Sequence, residues 1–296
     1  MTAEEAVPRT EKVRGRRHTL YFLEQADRQR AVFLDTEADM TRVLAHRAAA
    51  RAEGRRYAYV SYVLHALGRT LAVYPRANAV MAPGWPGRLR APRITVFGGV
   101  TAKLALDRRL DGERRVLSAL LPRLEQAGLD EIQERLERYR ATDLDGLPEF
   151  AGVRALGRAP APLGRLAFGR ALRDPRRREQ VFGTVSVSSL GNGVVDGFHS
   201  VGGTAVTVNL GRVLERPVVR EGRVVVAPVL RLGLAFDHRV IDGALAAEVL
   251  GALKQNVEDF DEHGGSEARQ PHEGARADRP ADPDQRTAGA MAAAQR

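Results

Sequence analysis

The sequence has no cysteine, few aromatic residues and almost no lysine. Without cysteine, the 296-residue chain can form no disulfide, no thiolate metal site and no cysteine nucleophile. Aromatic residues make up only 5% of it, and no basic run is interleaved with them, so we expect no nucleic-acid binding. Of its 46 basic residues only Lys12, Lys103 and Lys254 are lysines, a skew more typical of codon bias than of a nucleic-acid-binding surface.

Long apolar segments are also missing. No run of about eighteen apolar residues occurs, and the N-terminal stretch MTAEEAVPRTEKVRGRR has charges but no apolar core of a signal peptide. We therefore expect a soluble, cytoplasmic protein with no membrane partner. The formal net charge of +9 predicts a basic surface, which could attract the phosphates of a small-molecule ligand.

The stretch LGLAFDHRVIDGALAAEVL, residues 232–250, joins an apolar strand, a polar turn and an amphipathic helix. Leu232, Leu234 and Phe236 recur at the period of a strand, and Leu245, Val249, Leu250, Leu253 and Val257 recur at helical spacing. His238 stands at the end of the strand, where rigid backbone would place its ring. Asp242 and Gly243 supply the turn and the helix entry, and a helix start favours an acidic neighbour. This arrangement suits a general base.

His238, Asp242 and Gly243 form the HxxxDG signature of the chloramphenicol acetyltransferase-like fold. The longer string FDHRVIDGA, residues 236–244, resembles the catalytic acyltransferase component of 2-oxo acid dehydrogenase complexes. The resemblance implies an α/β two-layer fold with a mixed sheet and flanking helices. In that family the motif aspartate braces the loop by pairing with an arginine, for which Arg16 and Arg17 are both candidates here.

A second strand, TVSVSSLG at residues 184–191, alternates hydroxyl and apolar side chains and is similar to the "TISSLG" strand of the same acyltransferases. In the family a serine hydroxyl on this strand supports the oxyanion. The motif assigns that role to Ser188, with Ser186 and Ser189 as alternatives. The predicted catalytic residues are thus His238, Ser188 and Asp242, supported by Arg16, Arg17 and Gly243.

The resemblance covers roughly residues 16–260, which we predict to be one acyltransferase domain. Residues 1–15 are polar, and residues 261–296 carry almost no large apolar side chain, so both are expected to be disordered. Within the domain, residues 141–180 are rich in proline, glycine and arginine and predict an irregular insertion, either a surface loop or a lid over a tunnel mouth.

Two further histidines are not expected to act chemically. His65 lies inside an apolar helical pattern and predicts packing, and His199 lies in a glycine-rich turn. Their scattered distribution gives no metal site. A serine hydrolase is excluded because no G-x-S-x-G elbow occurs, and neither a dinucleotide-binding nor a Walker loop is present.

The resemblance implies direct acyl transfer. Neutral His238 would take the proton from a thiol, amine or hydroxyl acceptor, and Ser188 would donate to the oxyanion of the attacked thioester. Coenzyme A or acyl-CoA would be the co-substrate, without a metal. Family members bind substrate between the subunits of a trimer, so a homotrimer is expected. No covalent lipoyl group is expected, because only Lys12 precedes the domain.

Three functions remain open at this point. The first is a stand-alone CoA-dependent acyltransferase. The second is a core of a 2-oxo acid dehydrogenase complex, a dihydrolipoamide acyltransferase that uses a separate lipoyl or acyl-carrier protein in trans. The third is a catalytically silent trimeric scaffold, against which the intact His238 and Asp242 argue.

Overall fold

The structure, a computed structural model, describes residues 17–82, 93–110, 113–142, 147–191 and 193–261. Of the segments predicted to be disordered, residues 1–15 and 262–296 lie outside the described residues, as does Arg16. The proposed extent of the domain therefore stays a prediction.

The described part of the chain contains eight α-helices and two 3₁₀ turns. They are α1 (Arg17–Ala26), α2 (Thr41–Ala52), α3 (Tyr59–Val73), α4 (Leu129–Ala141), α5 (Ala151–Arg158), α6 (Ala161–Arg173), α7 (Pro175–Phe182) and α8 (Gly243–Glu258), with 3₁₀ turns at Pro75–Ala77 and Pro148–Phe150.

Six strands form a mixed sheet in the order β1-β8-β7-β6-β4-β5. These are β1 (Ala31–Asp39), β4 (Ala102–Leu110), β5 (Glu113–Leu121), β6 (Val185–Ser189), β7 (Val206–Arg220) and β8 (Arg223–Asp237); β2 (Ala79–Met81) and β3 (Ile94–Val96) form a separate pair. The β4–β6 and β6–β7 pairs are parallel and the other pairs are antiparallel. This mixed α/β architecture confirms the predicted fold class.

The two faces of the sheet differ in polarity because side chains alternate along each strand. Val187, Val208 and Leu234 are buried in the core on one face, together with apolar residues of α3 and α8. The other face presents a row of hydroxyl and amide side chains: Ser186, Ser188, Thr207 and Asn209. The strand-like alternation of residues 184–191 predicted this division.

A turn at residues 195–204 folds over the polar face. Ser200 Oγ donates to Asn209 Oδ1 at 2.5 Å, and the Gly202 amide donates to Thr207 Oγ1 at 2.9 Å. A Cβ on Gly202 would lie 2.2 Å from the Ser186 Cβ, so only glycine lets the turn approach the strand this closely.

The interval 141–180 is helical in its described part, which corrects the prediction of an irregular insertion. Its helices α5, α6 and α7 contact α1 or one another: Tyr21 Oη donates to the Ala161 carbonyl at 3.0 Å, and Phe22 lies against Phe182 with ring centroids 5.9 Å apart. The prolines of this interval favoured a loop prediction, but Pro160 and Pro175 stand at helix starts, where proline is tolerated.

Two buried basic side chains hold the turn by its carbonyl groups. The Lys103 Nζ donates to the Gly202 carbonyl at 2.5 Å and lies 3.7 Å from the centre of the Phe182 ring, while Arg178 of α7 donates to the Gly203 carbonyl at 2.7 Å. Burial, followed by the nearby Arg178 charge, holds the pKa of Lys103 well below its usual value of 10.5. The amine is thus held in a site that disfavours its charge.

We expect Lys103→Met to flatten the pH dependence of stability. Between the lowered pKa and 10.5 the unfolded chain binds a proton that the native chain does not, so the stability of the natural protein rises with pH across this window. The methionine variant lacks this titration. Urea unfolding midpoints of both proteins at neutral pH and at pH about 9.5 test this; an equal rise in the variant would contradict it.

Candidate active site

His238 lies at the end of β8, just beyond the last residue of that strand. β8 is paired along its C-terminal half with β1 on one side and β7 on the other, and both Val32 and Val206 stand opposite Phe236. The His238 amide donates to the Arg30 carbonyl at 2.9 Å. Its side chain is exposed, and its ring lies 5.6 Å from the ring of Phe236. The sheet therefore holds the backbone of His238 while leaving the imidazole accessible.

Asp242 is the N-cap of α8. Its backbone is extended, and its carboxylate accepts the Leu245 amide at 2.9 Å. Such a cap satisfies one of the free amides of the first turn, and its negative charge is favourable there. Gly243 is the first residue of α8, and a Cβ on it would meet no atom within 4 Å. The single chain thus gives Asp242 a structural role beside the imidazole.

The arginine predicted to pair with Asp242 has another partner within the chain. Arg17 donates through its Nη1 to the Ala159 carbonyl, at 2.8 Å, in the link between α5 and α6. Arg16 lies outside the described residues. The pairing of Asp242 with either arginine stays a prediction.

The three candidate serines differ in accessibility. Ser186 is 3% exposed, and its hydroxyl donates to the Gly202 carbonyl at 3.0 Å and accepts from Thr204 Oγ1 at 2.8 Å. Ser188 is half-buried, and its hydroxyl bonds to none of the residues that the structure describes. Ser189 is exposed and points to the opposite face from Ser188. Among the three, Ser188 combines access with a free hydroxyl on the polar face.

One chain does not bring Ser188 and His238 together. Ser188 stands opposite Asn209, which stands opposite Gly233, five residues before His238. With a strand rise of about 3.3 Å per residue and a strand spacing of about 4.8 Å, the two backbones are roughly 19 Å apart. A serine hydroxyl and an imidazole at that separation cannot act on one carbonyl group.

Sequence reasoning missed an ion pair that flanks the imidazole. Asp237 is 3% exposed, and its Oδ2 accepts from Arg239 Nη2 at 2.6 Å while its Oδ1 accepts from Arg239 Nε at 2.9 Å. The sequence did contain a signal for this pair, because an acidic and a basic residue stand directly before and after His238. Burial alone would raise the pKa of Asp237, but hydrogen bonds from Arg239 and from the Arg30 amide outweigh it and hold this pKa below its usual value.

A basic groove, also missed, lies between α2 and the start of α3. It has an open volume of about 450 Å³ and is lined by Leu44, Arg47, Ala48, Arg51, Arg55, Arg56, Tyr57 and Tyr59. The Arg47 guanidinium lies 3.9 Å from the centre of the Tyr59 ring, and its Nε donates to the Tyr57 carbonyl at 2.9 Å. Arg51 and Arg56 form no ion pair with any described residue. The groove carries uncompensated positive charge.

The other histidines have packing partners. His65 of α3 lies in a cluster around Phe260, with ring centroids 5.7 Å apart, and burial, followed by the Arg69 charge, lowers its pKa to about 4. His199 lies 5.5 Å from the Phe33 ring. Within the described ranges, no three acidic or histidine side chains are grouped as metal ligands, and no helix is both long and apolar enough to cross a membrane.

Residues 173–264 match the model of the 2-oxoacid dehydrogenases acyltransferase catalytic domain, a stretch that includes Ser188 and the whole motif around His238. Over this stretch the chain is similar to that acyltransferase family, which confirms the sequence resemblance.

A curated acyltransferase is similar over a longer part of the chain. The chain is 26% identical over 234 residues to the dihydrolipoyllysine-residue acetyltransferase component of the pyruvate dehydrogenase complex of Bacillus subtilis, covering 77% of this chain and 45% of that protein. It therefore spans about half the length of this curated relative.

Solved structures show the same fold. A probable dihydrolipoamide acetyltransferase of Listeria monocytogenes superposes with a TM-score of 0.63 and 19% identity, covering 88% of this chain and 98% of that one. A dihydrolipoamide acetyltransferase of Azotobacter vinelandii, studied for the roles of a serine, a histidine and an asparagine in catalysis, gives 0.61 and 19%, covering 86% and 94%.

Capping by Asp242 predicts different outcomes for two substitutions. Asp242→Ala removes the acceptor for the Leu245 amide and should lower the unfolding free energy by about 1 kcal/mol, whereas Asp242→Asn keeps a capping side chain and should cost only a few tenths. Urea unfolding of both variants measures this. Equal losses in the two would show that charge, and not the hydrogen bond, carries the effect.

Proposed function

We propose that this chain transfers an acyl group between coenzyme A and a thiol acceptor, with His238 as the general base. The observation that carries the proposal is the exposed imidazole of His238, fixed at the end of a doubly paired strand inside the family's catalytic motif. A dihydrolipoyl thiol is the acceptor that the relatives' names favour over an amine or a hydroxyl.

In this reaction the imidazole takes the proton from the acceptor thiol. The resulting thiolate attacks the thioester carbon and forms a tetrahedral oxyanion, to which the Ser188 hydroxyl donates a hydrogen bond. Collapse of the intermediate breaks the bond to the sulfur of coenzyme A, which receives the proton from the imidazolium. A histidine suits both proton transfers because its ordinary pKa is close to neutral pH.

Two observations bear on which serine donates to the oxyanion, and they favour different residues. In the Azotobacter enzyme the histidine follows the serine by 52 residues, the separation of Ser186 from His238, whereas Ser188 is 50 residues away. The histidine and the asparagine there are four residues apart, as are His238 and Asp242. We favour Ser188 because the Ser186 hydroxyl is buried and already bonded, and because a turn separates β6 from β7, where chain lengths vary readily.

Substitution of the two proposed groups tests the mechanism. His238→Ala should lower kcat by about 10²- to 10⁴-fold and leave the fold intact, because the ring is exposed. Ser188→Ala should lower kcat by about 10²-fold or more, the usual cost of losing an oxyanion donor. Acetyl transfer from acetyl-CoA to dihydrolipoamide measures both, and circular dichroism checks folding. Ser186→Ala is the matched serine control; a larger loss there would reassign the donor, and full activity of His238→Ala would end the proposal.

We further propose that the site forms between two copies in a homotrimer. The roughly 19 Å that separate Ser188 from His238 within one chain support this, because the proposed chemistry needs both at one carbonyl. The exposure of Phe33 and Val32 on the edge strand β1, next to His238, also fits a subunit interface there.

Complementation between two inactive variants tests the shared site. When His238→Ala and Ser188→Ala chains are refolded together, some interfaces receive His238 from one chain and Ser188 from the other, so activity should return to a substantial fraction of the natural level. Each variant refolded alone is the control. No recovery in mixtures shown by light scattering to be trimeric would refute a shared site.

The basic groove is the surface that best fits the phosphates of coenzyme A. Its lining residue Tyr57 packs against His46, whose ring lies 5.1 Å from that of Phe260, and the 16 residues of α8 separate Phe260 from the His238 turn by about 24 Å. A ligand that reaches both must be extended, with anionic groups at one end and its sulfur at the other. Arginine side chains are well suited to phosphate groups because of their fixed fork of donors.

Arg51→Gln should therefore raise the KM for acetyl-CoA several-fold and leave kcat unchanged. The loss should shrink with 3′-dephospho-acetyl-CoA if the side chain binds the 3′-phosphate. Arg42→Gln is the matched control, since Arg42 also lies on α2 but pairs with Asp259 at 3.4 Å outside the groove. Equal KM values for the natural protein and Arg51→Gln would remove the groove from the coenzyme site.

We also propose a cytoplasmic location, and turnover by the natural protein would exclude a silent scaffold. The interval 141–180 forms helices α5, α6 and α7 in its described part, and a lid function for it is a proposal.

A further inference from the structure

Asp237 and Arg239 stand directly before and after His238. They form an ion pair that fixes the backbone on both sides of it. Asp237 Oδ1 accepts the Arg239 amide at 3.1 Å and the Arg30 amide at 3.3 Å, in addition to the guanidinium. The Asp237 carbonyl accepts the amides of Val240 and Ile241, at 2.8 and 3.3 Å. One buried carboxylate and its own peptide group thus organise the whole turn.

The imidazole itself has no such anchor. No described residue forms a hydrogen bond with either ring nitrogen of His238, and its described ring neighbour is Phe236. In many catalytic sites a third group bonded to the base fixes the ring orientation. Here the orientation depends on the backbone of the turn, which the carboxylate and the guanidinium hold.

We propose that Asp237 and Arg239 act as a positioning pair for the His238 imidazole. The inference rests on the proposed function of His238 and extends it, because neither residue contacts a reacting atom. The two-point contact of the guanidinium with both carboxylate oxygens resists rotation about the Asp237 side chain, which a single-point contact would allow.

Few other groups stabilise the charge of the Asp237 carboxylate. The Arg239 side chain is 36% exposed and that of Asp237 only 3%, so loss of the guanidinium leaves a buried carboxylate whose other donors among the described residues are the Arg30 and Arg239 amides. The turn would then have to open, or the Asp237 carboxylate would have to take up a proton. Either change moves the peptide groups that flank the imidazole.

Arg239→Lys provides the sharpest test, because it keeps the charge and removes the fork. We expect kcat for acetyl transfer to fall about tenfold or more with an unchanged KM for acetyl-CoA, since small displacements of a catalytic group are costly. Nuclear magnetic resonance of the His238 ring, assigned by its loss in His238→Ala, should show a second ring conformation or increased mobility. The matched control is Arg220→Lys, whose arginine pairs with Asp39 at the far end of β1.

The outcomes separate the two proposals. If the natural protein shows no acetyl transfer, the proposed function fails, and the ring resonances still decide whether the pair positions the imidazole. Unchanged kcat and unchanged ring resonances in Arg239→Lys would overturn the positioning pair. A lower kcat together with a higher KM and a lower melting temperature would also overturn it, because this combination indicates a general structural role. Should Arg239→Lys fail to fold, Asp237→Asn is measured in the same way.

Discussion

The position of the candidate base depends on the pairing of β8 with two partners at once. Strand β8 is antiparallel to β1 on one side and to β7 on the other, and both ladders reach Phe236. Because a one-residue slip would turn every buried side chain of β8 toward the polar face, the core also fixes the register. The residue that follows the strand is then delivered to one place, and His238 is that residue.

The same sheet explains why the candidate site is divided. Parallel pairing of β6 with β7 sets Ser188 in the row of Asn209 and Gly233, well short of the end of β8. The polar face is closed by a turn that glycine allows to lie against the strand, and buried Lys103 and Arg178 hold that turn by its carbonyl groups. Within one chain the two proposed residues thus lie at two places, which is the geometry that the proposed site between copies requires.

Sequence reasoning was strongest where local pattern and motif coincide. The strand-turn-helix around His238 and the alternating strand of Ser188 could be predicted because burial on one face imposes a period that the residues display. Residues 141–180 were misjudged because proline at a helix start and arginine on an exposed helix both resemble loop composition. The pair of Asp237 with Arg239 and the basic groove depend on burial and on contacts between distant elements, which one sequence does not display.

The partnership of the first and last strands bears on how the chain reaches its native state. Ala31 stands opposite Asp237, so β1 leaves the ribosome about 200 residues before its partner is synthesised. Contacts of such high sequence separation carry a large loop-closure entropy and slow folding. During translation β1 is an unpaired strand bearing Val32 and Phe33, the kind of segment that chaperones protect and that exchanges between neighbouring nascent chains. The turn around His238 can therefore pair with β1 only after nearly the whole domain has been synthesised.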